Sequence, residues 1–385
     1  MVPSGWVKRT IDDIAIVSSG GTPSRSEPLY WGGKIPWVTT AEVDFCEISD
    51  TNEKITEIGL SGSSAKLFPS GTILMAMYGQ GKTRGKVAKL AIDASTNQAC
   101  AAILLKENFS VDFYFQYLQS QYDNIRELSN SGGQENLSGS IVKSIPVPVP
   151  PLPEQNKIAK ILSVWDKAIT TTEQLLANSQ QQKKALMQKL LTGKVRLLDE
   201  NGVRFEGEWK QSSLKNLLSI SKGQQLNKDT LSKADEFPVI NGGLEPSGFT
   251  DQYNTEANTI TISEGGNSCG YVAFQPQRFW CGGHCYAINN LKLNLKFTYQ
   301  LLKFNQIKIM RLRVGSGLPN IQKKDLESLL VWFPENVKEQ NKIACALASG
   351  DKEIVALQQK LNALKQEKKA LMQQLLTGKR RVKIN

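Results

Sequence analysis

Several kinds of site and cellular location are excluded by what this sequence lacks. It contains a single histidine in 385 residues, so no cluster of histidine metal ligands can form within it. No apolar run approaches the roughly 18 residues of a membrane-spanning helix, and the amino terminus MVPSGWVKRT lacks the apolar core of a signal peptide. Membrane insertion and secretion are therefore not expected. Six cysteines at irregular spacing predict reduced thiols in a cytoplasmic protein.

One group of cysteines invites comparison with a zinc site. Cys269, Cys281 and Cys285 lie near the lone His284 in the sequence. The segment around Cys281 and Cys285 has the pattern of a β-strand, in which neighbouring side chains point to opposite faces. This favours buried structural thiols and a histidine on a polar face over a set of converging ligands.

The chain is basic, with a formal net charge of +11, and the excess is unevenly placed. Residues 154–196 carry eight basic and three acidic side chains, and residues 339–385 carry ten and four. The remaining segments nearly cancel, with 13 basic against 15 acidic residues in 1–153 and 16 against 14 in 197–338. If the latter segments touch nucleic acid, they must do so through local patches and polar contacts. A basic helix is equally consistent with a solvated face or a protein interface.

The most informative feature is an internal duplication. Glu154 to Arg196 aligns without a gap to Glu339 to Arg381, 185 positions later, with 25 of 43 residues identical. EQNKIA opens both copies, and KKALMQ followed by LLTGK closes both. The chain therefore consists of two similar halves, each a globular unit followed by a helix.

Each copy has the residue spacing of a coiled-coil helix. Apolar residues recur at alternating steps of four and three, with no proline inside the run and glycine after the last turn. At about 1.5 Å per residue, some 38 residues predict helices about 57 Å long. The predicted seam comprises Ile158, Leu162, Trp165, Ile169, Leu176, Leu186 and Leu190 in the first copy, and Ile343, Leu347, Ile354, Leu357, Leu361, Leu371 and Leu375 in the second.

Two seams of equal length most simply pair with each other. Because each helix follows its own globular unit, an antiparallel pair places the units at opposite ends with pseudo-twofold symmetry, whereas a parallel pair crowds them together. Thr172, Lys183 and Lys368 interrupt the apolar seams, so two independent helices that each bind a foreign partner remain an alternative.

The globular segments resemble each other more faintly. Trp6 and Trp209 each open a segment with a short helix and a glycine turn. The pattern predicts a mixed α/β (α+β) unit built twice. The predicted strands are 72–75 and 259–262, return strands near Val87 and Val272, and 97–103 and 283–288, followed by helical segments near 111–128 and 297–312.

Together these features resemble the specificity (S) subunits of type I restriction–modification systems, also called HsdS. The resemblance covers the whole chain and rests on the segment 134–148 running into PPLPEQ, on the repeated EQNKIA and LLTGK, and on the alternation of a variable unit with a repeated helix. The second copy departs from the pattern, because VWFPEN replaces the proline-rich entry and Gly350 stands where the first copy has Trp165.

The resemblance implies target recognition domains at 1–152 and 199–337, and conserved spacer helices at 153–198 and 338–385. Each domain would read one half of a bipartite site in double-stranded DNA, while the antiparallel helices act as a ruler between them. It also implies partners: two methyltransferase (M) subunits that use S-adenosylmethionine and dock on the helices, and restriction (R) subunits that use ATP and Mg. No cofactor or metal is expected in this chain.

Catalysis is expected to reside in the partners. An amino-methyltransferase of this kind holds its target amino group with an Asn/Asp-Pro-Pro-aromatic tetrapeptide, which does not occur here. A specificity subunit that serves modification alone fits the sequence equally well. A rival of another class is a coiled-coil scaffold or regulatory protein that binds protein partners rather than DNA.

A glycine-rich loop in the first unit permits two interpretations. AMYGQGKT, residues 76–83, matches a relaxed phosphate-binding loop with alanine as its first residue. Such a loop opens a helix, whereas the β-prone residues that follow Gly85 favour a hairpin. As a DNA-facing loop it offers amide, hydroxyl and cationic groups to phosphates and base edges. These groups belong to Gln80, Lys82, Thr83, Arg84 and Lys86.

The matching loop of the second unit, EGGNSCG at residues 264–270, has no basic residue. Glu264 suits the amino group of cytosine and Asn267 suits adenine, so the two loops are predicted to read different half-sites. Ser268 and His284 complete the candidate contacts of this unit. A polar surface hairpin without a ligand is the alternative for both loops.

Overall fold

The chain divides into two units, one formed by Met1–Glu173 with Lys360–Asn385 and the other by Gln174–Gln359. They are called unit 1 and unit 2 below. The computed structural model describes residues 3–79, 82–129, 136–227, 229, 231–315, 317 and 319–384. Within these ranges, no helix combines the length and apolar character needed to cross a bilayer.

Short strands and helices alternate in unit 1 before the first long helix. Two single 3₁₀ turns, Pro28–Tyr30 and Thr40–Glu42, lie among them. In chain order the elements are β1 (Val7–Thr10), α1 (Ile11–Ile14), β2 (Ala15–Ser19), β3 (Trp31–Val38), β4 (Glu47–Ile48), β5 (Glu53–Ile55), α2 (Glu57–Ser61), β6 (Ile73–Ala76), β7 (Val87–Leu90), β8 (Ser95–Thr96), β9 (Cys100–Leu105), α3 (Val111–Ser120), α4 (Tyr122–Glu127), α5 (Gly139–Ser144) and β10 (Pro146–Val149).

The core of unit 1 is a five-stranded sheet in the order β2-β9-β6-β7-β4. Strand β6 lies in its middle, and all four of its residues are buried because both faces of the sheet are covered. Phe113 and Tyr114 of α3 pack into the same core, edge to face at 5.1 Å. A smaller sheet, β5-β3-β8, packs around Trp37 and Ile55. Strands β1 and β10 pair antiparallel beside the entry to the first long helix.

Unit 2 repeats this order of elements. Its core gathers the buried faces of a four-stranded sheet and of the helix that follows it. The elements are β11 (Trp209–Ser213), α7 (Leu214–Leu217), β12 (Ser219–Lys222), β13 (Phe237–Ile240), β14 (Phe249–Thr250), β15 (Thr259–Ser263), β16 (Val272–Gln275), β17 (Trp280–Cys281), β18 (Cys285–Asn289), α8 (Leu295–Phe304), α9 (Gln306–Arg311), α10 (Lys323–Ser328) and β19 (Leu330–Pro334).

Four strands of the larger sheet, and the two strands beside each long helix, correspond between the units, while β4 extends the sheet of unit 1 by one strand. The order β12-β18-β15-β16 in unit 2 matches β2-β9-β6-β7 in unit 1, and β11-β19 matches β1-β10. The registers agree as well, since Ser19 pairs with Ala101 in unit 1 and Lys222 pairs with Tyr286 in unit 2. Ser19 and Lys222 are therefore equivalent positions, as are Ala101 and Tyr286.

The two long helices are α6 (Leu152–Leu190) and α11 (Val337–Leu375), each of 39 residues. Each ends shortly before a glycine with φ +69°, Gly193 or Gly378, a conformation that stops the helix. Every predicted seam position is buried or half-buried, including Thr172, Lys183 and Lys368. The first long helix ends at Leu190, so the spacer segment predicted over 153–198 continues past it by about two helical turns.

The helices pair antiparallel within each unit. In unit 1, Asp166 pairs with Lys368 at 2.5 Å, and Glu173 pairs with Lys365 at 2.7 Å. Residue numbers thus rise along α6 as they fall along α11. In unit 2, Ser179 donates to Glu353 at 3.2 Å and Lys183 pairs with Asp351. The predicted pair of mixed α/β units with antiparallel long helices is confirmed.

Candidate functional site

The duplicated glutamate at the start of each long helix anchors that helix to its unit. In unit 1 the Glu154 side chain is 1% exposed and lies in the first turn of α6, where the helix dipole favours a carboxylate. It accepts hydrogen bonds from Arg381 Nε at 2.6 Å, Arg381 Nη2 at 2.7 Å and Trp6 Nε1 at 3.0 Å. The segment after α11 is thereby tied to the start of α6.

Unit 2 repeats this anchor with one donor fewer. Glu339, fully buried in the first turn of α11, accepts from the Nε and Nη2 atoms of Arg196. Trp209 occupies the place of Trp6, but its buried indole N–H finds no acceptor among the residues the structure describes. Glu339 therefore depends more strongly on its arginine than Glu154 does.

The lysines that interrupt the seams form a second anchor. In unit 1, Lys368 Nζ reaches Asp166 Oδ1, and Gln116 Nε2 of α3 donates to Asp166 Oδ2 at 2.5 Å. The Lys368 side chain is 7% exposed, so the ion pair is partly shielded from water. One carboxylate thus joins α6, α11 and the helix that packs on the sheet.

In the equivalent anchor of unit 2 the two helices exchange roles, so that the carboxylate lies on α11 and the lysine on α6. Asp351 of α11 pairs with Lys183 of α6 and accepts from Gln300 Nε2 at 2.7 Å. The lysine stem passes beside Gly350, whose missing Cβ would lie 3.5 Å from Lys183 Cγ. That distance is ordinary van der Waals contact, so it does not require glycine at the place where the first copy has tryptophan.

A duplicated glutamine completes the attachment. Gln155 Oε1 accepts from the backbone N–H of Ser110, the N-cap residue of α3, at 2.9 Å. Its Nε2 donates to Pro150 O at 2.8 Å. In the second copy, Gln340 Oε1 accepts from the backbone N–H of Asn294 at 2.9 Å, and its Nε2 donates to Pro334 O at 2.8 Å.

The glycine-rich loop of unit 1 joins two antiparallel strands, β6 and β7, as the hairpin interpretation predicts. Lys82 is exposed, while its carbonyl accepts from Tyr122 Oη at 2.5 Å; Thr83 and Arg84 are half-buried. Lys86 pairs with Asp44 at 2.6 Å and lies 5.8 Å from the Phe45 ring centroid. Its side chain is 19% exposed, and its contact with DNA stays a prediction. Gln80 lies outside the described residues.

In unit 2, the predicted contact of Glu264 with cytosine stays a prediction. Its side chain is 12% exposed and pairs with Lys222 Nζ at 2.6 Å. The single O–H of Tyr286 is shared between the same carboxylate oxygen, 3.2 Å from Oη, and Ile321 O, 2.9 Å from Oη. Burial, and then the charge of Glu264, raise the pKa of Tyr286, so the phenol keeps the proton that it donates.

The other predicted contacts of unit 2 differ in availability. Asn267 is exposed, whereas the Ser268 hydroxyl donates to Gly242 O. His284 is 65% exposed, with Nδ1 4.0 Å from Glu264 Oε2. Cys281 and Cys285 are buried.

Equivalent clefts lie at the same sheet edge in both units. In unit 1 the N–H of Met77, just after β6, donates to Ala99 O, and in unit 2 the N–H of Glu264, just after β15, donates to His284 O. The cleft volumes are about 450 Å³ in unit 1 and about 580 Å³ in unit 2. The first is lined mainly by neutral groups, including Ser18, Ser19, Met77, Tyr78, Gln98, Ala101 and Lys143, and the second by groups including Lys222, Asn241, Glu264, His284 and Asn320.

The same family model matches both halves. Its description is "Type I restriction modification DNA specificity domain", and it covers residues 3–178 and again 206–366. The chain belongs to this family. The two matches of the specificity domain include the two clefts and most of both long helices, and the resemblance inferred from the repeated motifs is confirmed.

One curated relative aligns over nearly the whole chain and another over a little more than a third of it. The MjaIX specificity subunit of Methanocaldococcus jannaschii, a type I restriction enzyme component, is 26% identical over 421 residues, covering 99% of this chain and 95% of that protein. A putative type I specificity subunit of Mycoplasma genitalium is 36% identical over 149 residues, covering 38% of this chain and 39% of that protein.

Solved structures share the fold of this specificity-domain protein. The S subunit of a type I restriction–modification system from M. genitalium superposes with a TM-score of 0.70 at 19% identity, covering 97% of this chain and 96% of that one. A structure concerned with complex assembly and conformational transition of the type I system gives a TM-score of 0.57 at 17% identity, covering 98% of both chains.

Sequence patterns alone missed the polar anchors and part of the clefts. The signal for the anchors was present, since Glu154, Gln155, Asp166, Lys183 and Arg196 are identical in both copies. Polar residues retained in a drifting repeat indicate a shared bond. Lys222, Tyr286 and Asn320 carried no comparable signal, because the positions equivalent to Lys222 and Tyr286 in unit 1 are serine and alanine.

Proposed function

We propose that this protein is the non-catalytic subunit that selects the DNA sequence for a type I restriction–modification complex. Each unit reads one half of a bipartite site in double-stranded DNA. The supporting observation is that two units of the same topology carry equivalent clefts with different chemical linings. A shared frame with divergent linings suits the recognition of two unlike half-sites.

The long helices are proposed to set the distance between the half-sites. Each has 39 residues, which form about 58 Å of helix. Ion pairs of buried glutamates and hydrogen bonds of buried glutamine side chains attach the helices to the units. Rigid attachment at both ends is what a ruler requires. The seam residues supply the apolar contact along the pair, and the anchors fix its register.

Catalytic activities are proposed to come from partner subunits in the cytoplasm. Two methyltransferase (M) subunits would supply S-adenosylmethionine chemistry, and restriction (R) subunits would supply ATP- and Mg-dependent cleavage where they are present. The excess of basic residues on the duplicated segments supports docking of acidic partner surfaces there. This chain itself is proposed to bind no cofactor.

Mapping of methylated adenines tests the proposal directly. The protein is co-expressed with its M subunits in a host without its own adenine methylation, and the methylated positions are read across the genome. The expected result is one bipartite motif with a fixed gap. Methylation without any bipartite motif, or binding of the complex to DNA that does not weaken as salt rises, would contradict it.

The ruler is tested by lengthening both helices together. Four residues inserted after Leu176 of α6, matched by four after Gln359 of α11, add about 6 Å to each helix. We expect the gap to grow by about one or two base pairs at 3.4 Å per pair while both half-sites stay the same. Four substitutions at exposed helix positions, without insertion, serve as the control. An unchanged gap or an altered half-site refutes the role of the helices.

A further inference from the structure

The two clefts differ at two equivalent lining positions and at a third equivalent position, which is buried next to the lining of unit 2. Unit 1 has Ser19, Met77 and Ala101, and unit 2 has Lys222, Glu264 and Tyr286 at the same places in the sheet register. The first three are neutral and small or apolar. The second three form a bonded group in which Lys222 and Tyr286 both donate to one oxygen of Glu264.

The bonded group fixes a cation at the edge of the cleft. Glu264 is held from two sides and is largely buried, whereas the Lys222 side chain is 55% exposed. An ammonium group has three N–H donors, and Glu264 takes one of them. Among the described residues no other acceptor is bonded to Lys222, so its remaining donors are available to a ligand that enters the cleft.

The charge of the group favours a base edge over a phosphate. With Glu264 ionised beside it, the pair has no net charge, and the nearby carboxylate repels an anion. A neutral acceptor experiences no such repulsion. In the major groove, guanine presents two adjacent acceptors, N7 and O6, whereas cytosine presents a donor at the same edge.

We propose that Lys222, positioned by Glu264, reads a guanine in the half-site recognised by unit 2. This assignment rests on the proposed function, and it makes Lys222 a specificity-determining residue and Glu264 a positioning residue. The cleft of unit 1 has no equivalent ion pair among its described residues, so its half-site is read by different contacts.

The test compares three lysine variants in the methylation-mapping experiment. In Lys222→Met the preference for guanine at one position of one half-site should fall by about 5- to 100-fold. Lys222→Arg, which keeps the donors, should retain guanine. Lys292→Met removes the same charge from an exposed site just beyond the far end of β18 and should leave the motif unchanged.

The double variant Lys222→Met/Glu264→Gln guards against loss of folding. It removes the carboxylate that the single variant leaves without its cation, and it should show the same relaxed position with thermal unfolding close to the parent protein. Gln98→Ala in the cleft of unit 1 should alter only the other half-site.

The outcomes separate the two levels of the proposal. A parent protein that gives no bipartite motif contradicts the function itself. A parent with a bipartite motif, together with an unchanged motif in Lys222→Met, overturns the guanine assignment alone. A uniform fall in methylation with the same motif indicates a phosphate contact and also overturns it. Loss of all methylation in the folded double variant counts against it as well.

Discussion

The unequal anchors of the two units allow one comparison within a single chain. Arg196→Met removes both N–H donors that Arg196 gives to the fully buried Glu339. No tryptophan donor remains there, because the neighbouring Trp209 indole makes no hydrogen bond among the described residues. Arg381→Met leaves Glu154 with the Trp6 N–H at 3.0 Å. The first change should therefore destabilise unit 2 more than the second destabilises unit 1.

The magnitudes follow from burial. Breaking a buried ion pair by removing one partner costs about 3–5 kcal/mol, since a charge remains without compensation. Arg196 is 17% exposed, so we expect about 3 kcal/mol for its loss. Arg381 is 42% exposed and its carboxylate keeps one donor, so a smaller loss is expected for Arg381→Met. A difference of about 1.4 kcal/mol corresponds to a tenfold change in local opening.

Native-state amide hydrogen exchange measures these local effects. Peptides from β11 and β19 report on unit 2, and peptides from β1 and β10 report on unit 1. In Arg196→Met, exchange in β11 and β19 should accelerate about tenfold more than exchange in β1 and β10 does in Arg381→Met. Adding Glu339→Gln to Arg196→Met should recover most of the loss. Equal acceleration in both units, or no recovery in the double variant, would refute the reasoning.

Two further predictions concern other buried groups. Lys368→Met should lower the free energy of unfolding by about 1 kcal/mol, because Asp166 then keeps only the hydrogen bond from the Gln116 amide and is 42% exposed, so water partly screens its charge. Urea unfolding measures this loss. The double variant Lys368→Met/Asp166→Asn should recover it. Burial raises the pKa of Tyr117 and of Tyr299 to about 12. Since an unfolded tyrosine ionises near pH 10, the contribution of each phenol is intact below about pH 10 and is lost as the pH rises toward about 12. Tyrosinate absorbance in the folded protein should show these two groups titrating late, and their complete ionisation near pH 10 would contradict the prediction.

The large features of the fold could be predicted because they depend on periodicity. The alternating steps of four and three predicted both long helices. Their antiparallel pairing was predicted because each helix follows its own globular unit, and the ion pairs of Asp166 and Lys183 display it. The buried strands β6 and β15 were also predicted from local sequence, since each is a short run of residues that favour β-strands, followed by a glycine-rich turn.

Other features depended on contacts that a local pattern does not contain. Strand β3 was not predicted because its sequence WGGKIPWV includes two glycines and a proline, residues that weaken strand signals. The end of the first long helix was predicted from Gly193, which follows its last turn at Leu190, whereas the boundary of the spacer segment at 198 stays a prediction. The ion pair of Lys86 could not be predicted because its partner Asp44 lies 42 residues away.

The division between repeated and divergent residues has a physical consequence. The anchors use the same residue types in both copies, since each must hold a helix of the same length against a sheet of the same topology. The clefts use unrelated types, since Ser19, Met77 and Ala101 in unit 1 give way to an ion pair and a phenol in unit 2. No anchor residue lines either cleft. Substitutions in one cleft therefore leave the helix attachments intact, and a protein built this way can change one half of its recognition sequence without altering the other half or the distance between them.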